Sequence, residues 1–271
     1  VRGCHWRRNT GNGLWGHSYG FDTHHTNITF TGNDFEDCGR DGILIGNVAG
    51  GVVKGNVFHR TGYITQTDSD APEPRFLLGH WAVGIDTSGY ARGVSIDGNV
   101  FVSTNGGVID ADGLRESTIS NNVSIIPVSG DAQYTEDSVA LYYDNGLGAN
   151  TTRAINLGNT SQNGGSRNIK ITGNTLIGCG MSAISLAYAK GCTVTDNRIV
   201  QLSNSAEVPI QLYASSAGSP ADEYYCYGNT VQGNSIAYGG SNFCIAETGT
   251  GWTSAHANEV FNNRTSGANY G

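Results

Sequence analysis

Apolar residues along this chain come in short runs that alternate with polar ones, and one arrangement of them recurs. The template is apolar, any, apolar, any, any, Asn, any, apolar. It fits Ile28-Phe30-Asn33-Phe35, Val94-Ile96-Asn99-Phe101, Ile169-Ile171-Asn174-Leu176 and Cys192-Val194-Asn197-Ile199. Weaker copies end on Asn56, Asn122, Asn234 and Asn263. Between the copies lies a second element: a small residue, a large apolar one, a free position and another core-sized residue. It is read at Gly20-Phe21-Asp22-Thr23, Gly42-Ile43-Leu44-Ile45, Gly84-Ile85-Asp86-Thr87, Val108-Ile109-Asp110-Ala111, Ala140-Leu141-Tyr142-Tyr143, Ala183-Ile184-Ser185-Leu186 and Pro209-Ile210-Gln211-Leu212. A period of two along each run predicts strands whose side chains alternate inward and outward.

The pairs Asn33/Asn56, Asn99/Asn122 and Asn174/Asn197 share a spacing of 23 residues. Two or three short strands in a repeat of that length predict coils stacked about 4.8 Å apart. The expected fold is therefore all-β: a right-handed parallel β-helix, a solenoid with loop insertions, formed as one domain over residues 1–271. A sandwich or propeller would need other periods and hairpin turns. Asn at a fixed turn position predicts an internal ladder in which each side-chain amide bonds the next. Phe21, Ile43, Ile85, Ile109, Leu141, Ile184 and Ile210 are expected to form one interior column.

Composition narrows the picture further. Gly occurs 40 times in 271 residues, and charged residues make up 14%. Such a chain has many tight turns and few exposed charges, yet its recurring Ile, Val, Leu and Phe do not suit disorder. The formal net charge of −8 argues against a nucleic-acid partner, since a phosphate polymer would be repelled. A polysaccharide is compatible with it. No apolar run approaches the ~18 residues of a helical membrane span. The six Cys at 4, 38, 179, 192, 226 and 244 show no metal spacing. They read as buried free thiols, with a Cys179–Cys192 or Cys226–Cys244 bridge as the alternative. The chain opens on Val1 within repeat sequence, as expected for a piece of a longer protein.

With the large apolar residue inward, two outward columns follow. The first is Asp22, Leu44, Asp86, Asp110, Tyr142, Ser185 and Gln211. The second is His24, Gly46, Ser88, Asp112, Asp144, Ala187 and Tyr213. Stacked like charges repel, so an Asp beside an Asp calls for a reason beyond folding; a plain solvated polar face is the alternative. Insertions at 61–81, 126–138 and 145–166 are expected to wall a groove above these columns. Arg75 and Trp81 stand in the first, and Arg153 in the last. The expected substrate-binding residues are Asp112, Tyr142, Asp144, Arg75 and Trp81. The Asp column would also suit Ca²⁺, a hard ion, although no calcium-loop repeat is present; no other cofactor is expected.

The stretch Tyr19-Gly20-Phe21-Asp22-Thr23-His24, with "NITFTGNDFEDCGRDGI" after it, resembles the alginate (mannuronan) C5-epimerases. Their β-helix carries a Tyr-Gly-Phe-Asp-Pro-His motif. The resemblance is specific over residues 17–45 and holds only at the level of the repeat beyond them. It implies that Tyr19 and His24 remove and return the C5 proton of a uronate while Asp22 sets the electrostatics. Thr23 stands in place of the motif's Pro, His25 in place of the following acidic residue, and Gly46 where a further catalytic Asp is expected. A lyase shares the same first step. A second resemblance is to phage tailspike depolymerases, in which paired carboxyls cleave a capsule glycan; Asp86 with Asp110, or Asp110 with Asp112, are the candidates for that chemistry. A third reading is a non-catalytic carbohydrate-binding adhesin. Each implies a polysaccharide partner and an extracellular or virion-surface location, and trimerisation is one way of satisfying the solenoid's ends.

Overall fold

The computed structural model describes residues 1–7, 9, 11–17, 24–36, 38, 40–61, 65–66, 75–76, 83–88, 91–104, 107–126, 134–136, 139–141, 153–160, 164–179, 181–201, 208–215, 224–240, 243–250 and 257–267. Its strands form three long parallel sheets of nine, eight and eight strands, visited in strict rotation. Each turn of the chain contributes one strand to each sheet, so every strand pairs with those one coil before and one coil after it. This is a three-sided parallel β-helix, as the repeat predicts.

The Asn ladder runs through one corner of every coil. Side-chain Nδ2 groups donate to the next Oδ1 from Asn33 to Asn56 at 2.9 Å, Asn56 to Asn99 at 2.9 Å and Asn99 to Asn122 at 3.0 Å. The chain of bonds continues from Asn122 to Asn174, Asn174 to Asn197, Asn197 to Asn234 and Asn234 to Asn263. Each Oδ1 also accepts from a backbone N–H, as Asn174 does from Asn122 at 3.0 Å. A buried amide with all its partners specifies the corner at no desolvation penalty.

Inside, side chains stack coil on coil. Phe35, Phe58 and Phe101 lie 4.8 and 4.6 Å apart with nearly parallel planes. This stack explains the small residue of the second template. A Cβ at Gly42 or Gly84 would sit 2.5 or 2.6 Å from the Phe58 or Phe101 ring. In the next coil the ring gives way to Ser124, and the Gly position becomes the buried Val108. Total volume per coil is thus conserved, as close packing requires.

Two elements differ from the sequence reading. Val139–Leu141 pairs antiparallel with Tyr134–Glu136 and belongs to none of the three long sheets. The coil strand is Arg153–Leu157, and Ile155 takes the place expected for Leu141, between Ile109 and Ile184. Ala154-Ile155-Asn156-Leu157 satisfies the same small–large–free–large template, so the local pattern alone could not choose. Likewise Leu14, not Phe21, pairs with Ile43. The interior column is therefore Leu14, Ile43, Ile85, Ile109, Ile155, Ile184, Ile210 and Ile245. All but Ile245 are buried. All six Cys are free thiols; neither alternative bridge forms.

The insertions have strands of their own. Short antiparallel hairpins pair Thr65–Gln66 with Arg75–Phe76 and Asn159–Thr160 with Gly164–Gly165. The segments before Val83 and before Arg153 both enter the same sheet from the same corner of the coil, because each follows a strand of the nine-stranded sheet.

Candidate functional site

The site is built on the sheet that contains Leu14–His17, Ile43–Gly46, Val83–Ser88, Gly107–Ala111, Arg153–Leu157, Ile184–Ala187, Ile210–Ala214 and Ile245–Gly249. Because the Ile column points inward, the residue after each Ile points away from the core. Register along the sheet aligns Trp15, Leu44, Asp86, Asp110, Asn156, Ser185, Gln211 and Ala246. Asp86 and Asp110 are thus direct neighbours on adjacent parallel strands, with backbones about 4.8 Å apart.

Two further carboxylates join them. Asp41 stands in the turn before Ile43 and accepts the Val83 backbone N–H at 2.9 Å, tying its coil to the next. Asp112 follows the strand that carries Asp110, and its carboxyl fills the space above Gly158, where a Cβ would collide with it. Asp41, Asp86, Asp110 and Asp112 are all partly buried. Their charges are felt mutually, and all four are held above the ordinary carboxylate range.

The cause is first of all burial, which disfavours the charged form. It raises Asp86 well above its usual value, with Asp41, Asp110 and Asp112 each adding repulsion. Asp112 is pushed up to about 7 by burial and then by Asp110. Asp41 rises to about 6, burial being only partly offset by the Val83 N–H. Asp110 is raised by burial too, but two influences pull it back: Asn156 Nδ2 donates to its Oδ1 at 2.9 Å, and the Arg153 guanidinium lies nearby. Within the Asp86–Asp110 pair Asp86 therefore holds a proton more tightly than Asp110. Two neighbouring carboxyls driven apart in this way form an acid and a base.

Beyond Asn156 the groove opens into a cavity of about 380 Å³ lined by Arg153, Ser185, Ala187, Tyr188, Gln211 and Tyr213. At the other end of the column, Trp15 is 56% exposed. Aromatic surfaces thus stand on both sides of the acidic centre. The corner where this sheet turns into the next stacks Arg92, Arg115, Arg167 and Lys190 in successive parallel bridges. Lys190 Nζ also lies 5.4 Å over the Tyr227 ring. Four cationic residues are thus stacked in register along that corner.

Asp86, Asp110 and Asp112 are brought together as the sequence predicts. Tyr19, Asp22, Trp81, Tyr142 and Asp144 lie outside the described residues, as does the side chain of Arg75. Asp22 is not the neighbour of Leu44 in the first column, since Trp15 holds that place. Asn156 occupies the position expected for Tyr142. His24 is exposed, but it precedes the strand His25–Thr31 of a different sheet rather than sharing a strand of the site sheet. Asp41, Asn156 and Trp15 were not predicted. The signal for Asp41 was present, an Asp directly before the Gly that opens a core strand. Among the described residues, no group of three or more His, Cys, Asp or Glu side chains is arranged to hold a metal ion.

Comparison with known proteins agrees with this architecture. Residues 1–138 match the family model described as a right-handed beta helix region. The chain resembles the solved Azotobacter vinelandii mannuronan C-5 epimerase AlgE4 A-module with a TM-score of 0.63 and 16% identity. That alignment covers 97% of this chain and 59% of the A-module, so the chain spans less than two thirds of its neighbour. The AlgE6 A-module of the same organism aligns with a TM-score of 0.29 and 14% identity, over 90% of this chain and 64% of the other. No curated protein sequence matches the chain.

Proposed function

The chain belongs to the right-handed β-helix family, and from that premise we propose that it is a polysaccharide-processing enzyme. Its working face is the sheet bearing Asp86 and Asp110, and its reaction is proton exchange at C5 of a uronate, as an epimerase or lyase. The observation that carries this reading is the direct pairing of Asp86, held well above the ordinary carboxylate range by burial and its acidic neighbours, with Asp110 on the outward side of the sheet. Removing a proton next to a carboxylate builds negative charge on that carboxylate. A protonated carboxyl that donates a hydrogen bond is a group that stabilises such charge. The Tyr19–His24 motif supports the same chemistry, because in sequence it begins two residues after His17, whose backbone ends the first strand of the site sheet. Tyr19 and His24 then serve as the proton carriers, and an AlgE4-like fold is consistent with that division of labour.

A second reading has an observation of its own. Asp86 and Asp110 are directly paired on adjacent strands, a strand spacing close to the ~5–5.5 Å that separates the carboxyls of a retaining glycoside hydrolase, with Asp86 as acid and Asp110 as nucleophile. The two readings differ in what Asp86 must do. In proton exchange Asp86 works as a neutral donor, so Asp86→Asn keeps a donating N–H and retains much of the activity, while Asp86→Ala loses it. His24→Ala and Tyr19→Phe each lower turnover by at least ~10²-fold. In hydrolysis Asp86 must release a proton, so Asp86→Asn is inactive and His24→Ala is tolerated. Incubation of oligouronates in deuterated water gives the direct readout. An epimerase leaves deuterium at C5, and a lyase leaves an unsaturated, ultraviolet-absorbing end. New reducing ends with neither mark would overturn the first reading in favour of the second.

A further inference from the structure

The cavity beyond Asn156 has features that the acid–base chemistry does not use. Tyr188 meets Tyr213 edge-on at 5.5 Å and Tyr224 at 5.2 Å. Tyr188 holds a positive φ of 60°, a conformation that a bulky residue adopts at a cost of about 1–3 kcal/mol. Its ring lines the cavity beside that of Tyr213. Gln211 and Ser185 stand on the floor, in line with Asp110 and Asn156. Arg153 closes the end nearest the carboxylates, and its buried Nε has no hydrogen-bond partner among the described residues. An orphaned buried donor is costly unless a ligand supplies its acceptor.

We infer that this cavity is a distal sugar subsite that takes a carboxylate-bearing pyranose, held by Arg153, Gln211 and the rings of Tyr188 and Tyr213. The inference rests on the polysaccharide reading above and extends it to where the chain lies. From Asp110 to Gln211 is three strand steps, or roughly 14 Å at about 4.8 Å each. An extended pyranose chain advances by about one strand spacing per residue. The bound sugar is therefore two to three units from the one that reacts, and the glycan runs along the solenoid axis, across the strands. Tyrosine rings offer flat apolar faces to a sugar's C–H surface while keeping their hydroxyls in reach of its polar groups. Arg153 accounts for the acidic substituent, because a guanidinium pairs a carboxylate with two parallel donors.

The test is binding measured by calorimetry on the full chain, with size-separated oligouronates from dimer to hexamer and their carboxyl-reduced counterparts. Affinity should rise sharply between dimer and tetramer and then level. Tyr213→Ala should weaken tetramer binding by roughly tenfold, the order expected for a lost aromatic platform, and leave the dimer unchanged. Gln211→Ala should act the same way more weakly, and it serves as the second probe if Tyr213→Ala does not fold. Carboxyl-reduced tetramers should lose the step with length. A step with length that Tyr213→Ala and Gln211→Ala both leave intact would overturn the subsite, and so would equal losses at every length. The reading of the reaction fails separately. Length-dependent binding without deuterium exchange or unsaturated ends keeps the subsite and removes the epimerase or lyase. Exchange that is indifferent to Tyr213 and to length does the reverse.

Discussion

Replacing Asp112 with Asn should make the protein more stable, and only above a particular pH. Burial and the neighbouring Asp110 raise the folded-state value of Asp112 from 3.8 to about 7. Between those values the unfolded chain has released the proton while the folded chain still holds it. The folded state binds more protons there, so stability falls as pH rises. The loss begins near pH 4 and is complete just above pH 7. Three pH units at 1.36 kcal/mol each set a ceiling of ~4 kcal/mol. Part of the rise comes from Asp110, which relaxes as the two carboxyls share a proton, so the amount that one substitution recovers is about 2 kcal/mol. An amide at position 112 carries no charge at any of these pH values and escapes the penalty.

The assay is a set of thermal or urea melts of wild type and Asp112→Asn from pH 4 to 8.5. At pH 4 the two should agree within ~0.5 kcal/mol. By pH 8 the variant should lead by about 2 kcal/mol, or roughly 4–8 °C in melting temperature for a domain of this size. Parallel curves across the whole range, or a variant that is weaker at pH 8, would refute the reasoning. They would mean that the four carboxylates are well solvated, and the acid–base assignment of Asp86 and Asp110 would go with them.

Other expectations follow from the packing. Asn174→Leu removes the acceptor for the Asn122 N–H and Nδ2 and the donor to Ile119 O and Asn197 Oδ1; it should cost on the order of 1–3 kcal/mol per group left unpaired, read as a lower melting temperature. Gly84→Ala drives a Cβ to 2.6 Å from Phe101 and 2.8 Å from Val108 O, with Phe101 held in its stack by Phe58. It should cost about 1–3 kcal/mol, and Phe101→Leu in the same chain should recover part of that in a double-mutant cycle. Iodoacetamide under native conditions should label Cys4 alone. The other five thiols are buried, and burial pushes Cys179 and Cys226 up to about 12 and Cys192 to about 11. Rapid labelling of Cys179 in the folded protein would contradict the packing.

The coil architecture was legible in the sequence because its cause is periodic. Asn at a fixed corner and a small residue beside a large apolar one recur wherever the coil recurs, and both have a single physical role. The carboxylate neighbours Asp86 and Asp110 followed from that register. Legibility ended where register depended on pairing rather than pattern. Leu141 and Ile155 sit in the same local motif, and only the partner strand separates them. Two residues lie between Tyr134–Glu136 and Val139–Leu141, the length of the tightest hairpins, and that spacing was the available signal. The misplacement left Asn156 out of the predicted columns and read Arg153 as part of a wall loop, although both belong to the strand that Ile155 anchors. Asp41 was missed for a different reason: it reaches the cluster from a turn, where alternation says nothing about direction.

The position of the acidic cluster within the solenoid has a physical logic. Four carboxylates raised by burial and mutual repulsion destabilise the folded state, and the surrounding coils must offset that cost. Asp41 precedes the coil containing Phe58, and Asp86 lies in the coil containing Phe101. These are the coils in which the aromatic stack is continuous and Gly42 and Gly84 let the rings fill the interior. The Asn33, Asn56, Asn99 and Asn122 bonds run through the same coils at the opposite corner of the triangle. A carboxyl pair keeps its acid and base assignments only if the backbone cannot relax to separate the charges or admit water. Parallel strands locked in register by a stacked core and an amide ladder meet that requirement. The interior repeat and the outward chemistry are therefore coupled: loosening the stack beneath Asp86 should lower its affinity for a proton before it unfolds the coil.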